Sequence, residues 1–436
     1  PTLHGDEPLL ALPLVLPMGW TESPPYFCAA TETVTDITNR RLANHWKPPP
    51  HRLEELAATQ PEDSLETETT VNIAAKCVPL ATSTRPHNRR TRKRPLQKTD
   101  VFVDDFVAMA QGDKRQLSKV RRTLLHTLDE VLRKLDALDD EHRKEPASTK
   151  KLKQGDACWG TRKLVLGWII DTILLTLELP QHRKDRLQTI LQEVPRSQKR
   201  TSIKKWQQIV GEFRSMAIAI PGSRGLFSLL QEALRHQSDG RIRLSRGVHD
   251  TLDDLRWLAN DLAIRPTRLY EIVPQPDPEL LGAQDASGDG MGGVWFPAST
   301  SLLERPANGS AAESSTADSA GPILWRAQFD ADITRDLVSY QNPSGTITNS
   351  DLELAASLVQ HDIAAHRFDI SERTIATGSD NTPTVAWQSK GSTTTVSAPA
   401  YLLRLQALHQ RFHRYHSSAF FVPGKLNAMA DDCSRL

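Results

Sequence analysis

From residue 281 to the end of the chain, short apolar runs that read as strands alternate with stretches of helical periodicity. This alternation restricts the block to a mixed α/β architecture. Strands are predicted over Ala283–Trp295, Ile323–Phe329, Thr374–Ser379 and Ala419–Val422, and helices over Asp351–His366, Thr382–Gln388 and Ala400–Tyr415. The Ser/Ala-rich stretch Ala298–Ala320 reads as a surface loop. Residues 181–262 have a different texture. Ile203, Trp206, Val210, Phe213, Ala217 and Ile220 recur at three- and four-residue steps, one face of a helix opened by Thr201 or Ser202 and assigned to core packing. Val248, Leu252, Leu255 and Leu258 form a second such stripe, and Pro274–Pro278 reads as a linker.

Earlier in the chain, a helix is predicted from Ser23 to about Ile37, another over Arg115–Leu138, a buried strand over Leu164–Ile170 and a hairpin partner over Ile173–Leu179. Residues 41–99, with Pro48-Pro49-Pro50, an acidic Thr-rich patch and the basic run Arg85–Arg94, read as a disordered insertion. The expected division is thus 1–180, a helical segment 181–272, and 281–436. No run of eighteen uncharged apolar residues occurs, so no membrane span is expected. Pro1 reads as a cut through a longer chain. Cys28, Cys77, Cys158 and Cys433 form no Cys-x-x-Cys pair, which argues for a reducing intracellular setting, cytoplasm or nucleus, and against a zinc site. Residues 282–436 hold 11 Lys/Arg against 16 Asp/Glu, a balance of −5 inside a chain of net charge +1, so the remainder carries +6. For a nucleic-acid partner, most phosphate attraction then lies outside the last block, with Lys199, Arg200, Lys204 and Lys205 as its expected source.

Four carboxylates of the last block sit where phosphodiester chemistry needs them. Asp285 lies on an apolar strand before small residues, in Asp285-Ala-Ser-Gly-Asp-Gly-Met-Gly-Gly-Val-Trp295. Glu353 falls in the first turn of a helix, Asp380 between a strand and a helix, and Asp431 at the start of the final turn or helix. Hard oxygen donors of this kind suit magnesium, with manganese as a substitute, and two such ions activate a water and stabilise a departing 3′ oxygen. Each acid also has an ordinary explanation: Ser350 and Glu353 match a capping box, Asp380 and Asp431 are common helix-start residues, and Asp285 suits a turn.

Together the four contexts resemble the ribonuclease H domain of retrotransposons: an Asp-Ala-Ser strand, a Glu-Leu-x-Ala helix, a Ser/Thr-Asp-Asn turn and a closing Asn-x-x-Ala-Asp-x-x-Ser-Arg. All occur in order, ending in Val422-Pro-Gly-Lys-Leu-Asn-Ala-Met-Ala-Asp-Asp-Cys-Ser-Arg-Leu436. The resemblance implies a mixed β-sheet flanked by helices, metal ligands Asp285, Glu353, Asp380 and Asp431, two Mg2+ ions, and hydrolysis of the RNA strand of an RNA–DNA hybrid. Many members carry a histidine in the loop before the fourth acid. Between Phe421 and Asp431 there is none, the nearest being His416, which implies a metal-driven enzyme without that proton shuttle. Ser287, Asn381 and the basic face Arg404, Arg411 and Arg414 are candidate hybrid contacts, through shape, 2′-hydroxyls and phosphates.

The first 180 residues resemble part of a reverse transcriptase. Pro17-Met-Gly-Trp-Thr-Glu-Ser-Pro-Pro-Tyr-Phe27 is similar to its template-positioning segment, Phe102-Val-Asp-Asp105 to the palm turn whose acids (here Asp104 and Asp105) bind magnesium, and Leu166–Asp171 to the primer-grip hairpin. The helical segment after it matches a thumb or connection. Polymerisation needs a third carboxylate upstream of Pro17, and neither Asp6 nor Glu7 suits that role, so DNA synthesis is not expected. The chain thus reads as a retrotransposon polyprotein fragment, with the missing N-terminal reverse-transcriptase part or other polyprotein domains as possible partners. The alternatives are an inactive relic that retains at most nucleic-acid binding, and another enzyme of similar fold such as an integrase.

Overall fold

The computed structural model describes residues 21, 23–61, 95–235, 237–238, 240–297, 321–394 and 398–435. Pro17–Trp20, the run Arg85–Arg94 and the stretch Ala298–Ala320 lie outside the described residues. The chain forms two compact units, Pro1–Thr161 and Arg162–Leu436.

In the first unit, α1 (Ser23–Ala43) packs on the antiparallel hairpin β1 (Gln97–Phe102) and β2 (Asp105–Ala110) and on α3 (Lys114–Leu132). The short helices α2 (Glu54–Ala57) and α4 (Thr149–Lys153) complete it. Its core gathers Val34, Ala57, Leu125, Leu128 and Leu152. Asn39 of α1 bonds the Thr99 backbone in both directions at 2.9 Å, which fastens the hairpin to the helix. An Asp113/Gln116 capping box opens α3. The helix stops at Leu132, short of the expected Leu138. Beyond it Asp136, Asp139 and Asp140 accept nearby backbone N–H groups, a local alternative to helical bonding, and Leu138 is fully exposed.

The second unit opens on a hairpin. Leu164–Ile170 is not one buried strand but a hairpin, β3 (Arg162–Val165) and β4 (Trp168–Asp171). Leu166 and Gly167 both take positive φ (49° and 79°), the primed turn that suits strand twist, and Leu164 and Leu166 point to solvent. β5 (Thr176–Glu178) and β9 (Thr267–Arg268) extend the pair to a four-stranded antiparallel sheet.

Between β5 and β9 lie α5 (Gln181–Gln192), α6 (Ile203–Met216), α7 (Arg224–Glu232) and α8 (Arg246–Ile264). α9 (Leu269–Ile272) follows β9. Ser202 caps α6 by accepting from the Lys205 N–H. The predicted stripes of α6 and α8 meet in one core with Leu226 and Leu230, where Trp206 is fully buried and its indole donates to the Leu230 carbonyl at 3.0 Å. The segment is not wholly helical, because β6 (Arg200–Ser202), β8 (Arg241–Arg243) and β7 (Gln237–Ser238) form a small antiparallel sheet.

The last block is a five-stranded mixed sheet. The expected strand Ala283–Trp295 is two strands, β10 (Leu280–Ala286) and β11 (Gly290–Pro297), folded back at Ser287–Asp289. With β12 (Ile323–Gln328), β13 (Thr374–Ser379) and β14 (His416–Phe421) the order is β12-β11-β10-β13-β14. β12, β11 and β10 pair antiparallel, while β10, β13 and β14 pair parallel. The short α10 (Ala331–Arg335) follows β12, and α11 (Asn349–Arg367), α12 (Thr382–Lys390), α13 (Ala398–His413) and α14 (Ala428–Ser434) supply the helices. Trp295, fully buried, anchors α11 to the sheet by donating to the Gln360 carbonyl at 2.9 Å.

Candidate active site

Asp285 sits one residue before the end of β10, Glu353 in the second turn of α11, and Asp380 just after β13. The parallel pairing of β10 with β13 brings two of these chain ends together, and α11 lays Glu353 across them. One carboxylate oxygen from each lies within 4.8 Å of the others. Among the described residues this is the only acidic or metal-ligating trio.

The ordinary explanations for two of these acids do not survive the local geometry. The capping box of α11 is formed by Thr348 and Asp351, not by Ser350 and Glu353, so Glu353 carries no capping duty. Asn381, not Asp380, caps α12 by accepting from the Thr384 N–H at 3.1 Å. Glu353 is 2% exposed and accepts from the Ala286 N–H at 3.4 Å and the Ser379 hydroxyl at 3.3 Å. Burial, followed by the charges of Asp285 and Asp380, pushes its pKa up to about 8. Asp285 is also raised, by burial first and then by Asp380 and Asp431, while the Ser434 hydroxyl at 2.7 Å opposes the shift. Three carboxylates are crowded here, with Arg435 the cation that lowers Asp285, and an oxygen-only donor set fits a hard divalent ion.

Asp431 lies in the first turn of α14. Its charge is felt at Asp285, but it stands outside the trio and accepts from Arg435 at 2.6 and 2.9 Å. His416 opens β14 opposite Thr374, at the far end of β13 from Asp380. Six residues at ~3.3 Å per residue put it roughly 20 Å away along the strands. Its Nδ1 faces the Glu271 carbonyl at 3.2 Å.

The proposed hybrid contacts have other employment. Ser287 donates to the Ser434 carbonyl at 2.7 Å and accepts from the turn it closes. Arg404 pairs with Asp254 of α8, and Arg411 with Asp261 and Glu271. Arg414 pairs with Glu271. The three arginines therefore face the helical part of the same unit and form no free basic face. Sequence reasoning missed Ser379 and Ser434, the two hydroxyls that donate to the trio; the Ser-Arg ending was the available signal for Ser434.

In the first unit, Asp104 and Asp105 are exposed at the tip of the β1–β2 hairpin, with Val103 at φ 58° and Asp105 3.4 Å from Lys151. Among the described residues no third acid joins them. No helix of the described residues is long and apolar enough to cross a membrane.

No family model and no curated protein matches the chain. Among solved structures, a foamy viral protease-reverse transcriptase in complex with RNA/DNA hybrid is 13% identical, over 74% of this chain and 35% of that one, with a TM-score of 0.32. A related complex with double-stranded DNA gives 14%, 74%, 46% and 0.32. RNase H1 from the halophilic archaeon Halobacterium salinarum is 19% identical over 35% of this chain and 92% of that one, with a TM-score of 0.21. The chain thus spans between about a third and a half of the reverse-transcriptase chains it matches. The mixed α/β fold rests on the strand order and registers above.

Proposed function

We propose that the second unit is a magnesium-dependent endonuclease that hydrolyses the RNA strand of RNA–DNA hybrids, the ribonuclease H portion of a retrotransposon reverse transcriptase. The observation that carries this reading is the convergence of Asp285, Glu353 and Asp380, far apart in sequence, to within 4.8 Å on strand ends and a helix of a mixed sheet. Their order and neighbours are those of the family motifs, and Asp431 is proposed as the fourth ligand. Magnesium held there supplies a metal-activated water and stabilisation of the departing 3′ oxygen. Ser379 and the Ala286 N–H hold the Glu353 carboxylate in place. Electrostatic grip on the hybrid is assigned to the helical part, where Arg200 and Arg243 stand opposite each other across β6 and β8 beside the exposed Lys199, Lys204 and Arg241. Asp104 and Asp105 are read as a polymerase remnant without activity.

The test is cleavage of a labelled RNA–DNA hybrid in magnesium by the intact chain, by Asp285→Asn and by Asp380→Asn. RNA-strand cleavage that both substitutions abolish is the expected result. A folded chain that leaves the hybrid intact in magnesium and in manganese would return the protein to the inactive-relic reading.

A further inference from the structure

α14 is fastened to the sheet along its whole length. At its start the Asn427 side-chain amide donates to the Gln284 carbonyl at 3.1 Å. Near its end it lies so close to β11 that a Cβ on Gly292 would stand 2.5 Å from the Cys433 carbonyl carbon, and Gly292 is the residue paired with Asp285. At its end Ser434, fully buried, donates to Asp285 Oδ2 at 2.7 Å, while Ser287 donates to the Ser434 carbonyl at 2.7 Å. Asp285 and Ser287 thus grip both ends of one residue, side chain and backbone, across a span of 147–149 positions in sequence.

We infer that Ser434 is a positioning residue for the metal site: its hydroxyl fixes the rotation of the Asp285 carboxylate and keeps the other oxygen turned toward Glu353 and Asp380. This rests on the metal-dependent reading above. The physical reason is that a carboxylate on a single Cβ rotates freely unless one oxygen is engaged. Among the described residues, no donor other than Ser434 reaches Asp285. A ligand that is already oriented does not lose that freedom when an ion binds, and outer partners of metal ligands typically contribute about 10–100-fold to affinity. Ser287 acts one bond further out. By holding the Ser434 carbonyl it fixes the backbone from which the hydroxyl reaches.

The experiment is Mn2+ binding to the intact chain, read by titration calorimetry and by the electron paramagnetic resonance signal of free Mn2+, with thermal unfolding of each variant beside it. Asp285→Asn, Ser434→Ala and Ser434→Thr are compared with the parent. The expected result is parental binding that Asp285→Asn removes, about tenfold weaker binding for Ser434→Ala at an unchanged melting temperature, and recovery in Ser434→Thr, which keeps the hydroxyl. Ser434→Ala binding Mn2+ as tightly as the parent would overturn the inference while leaving the metal site standing. Equal weakening in the Ala and Thr variants would also overturn it, by placing the effect in packing. Parental binding indifferent to Asp285→Asn would instead remove the metal-site reading itself.

Discussion

Replacing Arg411 with alanine should destabilise the second unit more than any surface charge change. Arg411 is fully buried. Its Nε donates to Asp261 at 2.6 Å, and Nη1 donates to Thr267 at 3.0 Å and to Glu271 at 3.2 Å; Nη2 donates to the Arg265 carbonyl. Truncation removes all four bonds and leaves Glu271, itself 0% exposed, with Arg414 as its remaining cation. Breaking a buried pair from one side costs about 3–5 kcal/mol, because the surviving charge stays desolvated. For a unit of this size each kcal/mol moves the midpoint by about 2–4 °C, so the fall should be about 6–20 °C. Thermal and urea unfolding followed by circular dichroism measures it. Arg335→Ala, which breaks a pair whose side chains are 75% and 87% exposed, serves as the reference and should shift the midpoint by little. An Arg411→Ala midpoint within about 3 °C of the parent would correspond to about 1 kcal/mol and would refute the claim that these ions lock α13 to α8 and α9.

Two further predictions concern the site and its approach. Because the folded pKa of Glu353 is raised to about 8, its contribution to stability is present below the unfolded carboxylate range and is lost as pH rises toward 8. In the presence of a chelator the melting temperature should therefore fall between about pH 5 and 8 more steeply in the parent than in Glu353→Gln, and magnesium should restore it most at the alkaline end; parallel profiles would contradict this. Replacing Arg200, Arg241 and Arg243 together with glutamine should lower the slope of log affinity for duplex against log salt by about 0.9 for each phosphate that is no longer neutralised. An unchanged slope in metal-free binding would show that this face does not touch the backbone.

Much of the architecture was legible because it rests on periodicity. The stripe from Ile203 to Ile220 and the one from Val248 to Leu258 face a single core, and Thr374–Ser379 is a strand with the predicted limits. Strand breaks were harder to see. In Ala283–Trp295 the glycines have no side chain to show alternation, so the reversal at Ser287–Asp289 left no trace in the hydrophobic pattern. In Leu164–Ile170 the turn uses Leu166 at positive φ, a position where Asn or Gly would have announced it. Capping chemistry was equally ambiguous. Two overlapping patterns, Thr348-x-x-Asp351 and Ser350-x-x-Glu353, compete in sequence, and only the geometry shows that the first is used and that Glu353 is left for the trio.

Ion pairs between distant segments show a more general limit of sequence. Arg404, Arg411 and Arg414 read as a basic helix face because a sequence shows the charges of a helix and not what stands across from it. Their partners, Asp254, Asp261 and Glu271, lie 140–150 positions earlier, in a segment that reads as a separate domain. Once paired, these ions change the assignment of labour within the unit. Three of the block's own cations, Arg404, Arg411 and Arg414, are spent on joining it to the helical part, and the block carries a net charge of −5 over residues 282–436. Such a block repels a phosphate backbone unless cations compensate, and the exposed arginines of the β6–β8 sheet are one source of them. A nuclease built in this way would depend on the helical part for substrate retention as well as for stability. Cutting the chain between residues 272 and 280 would remove both together.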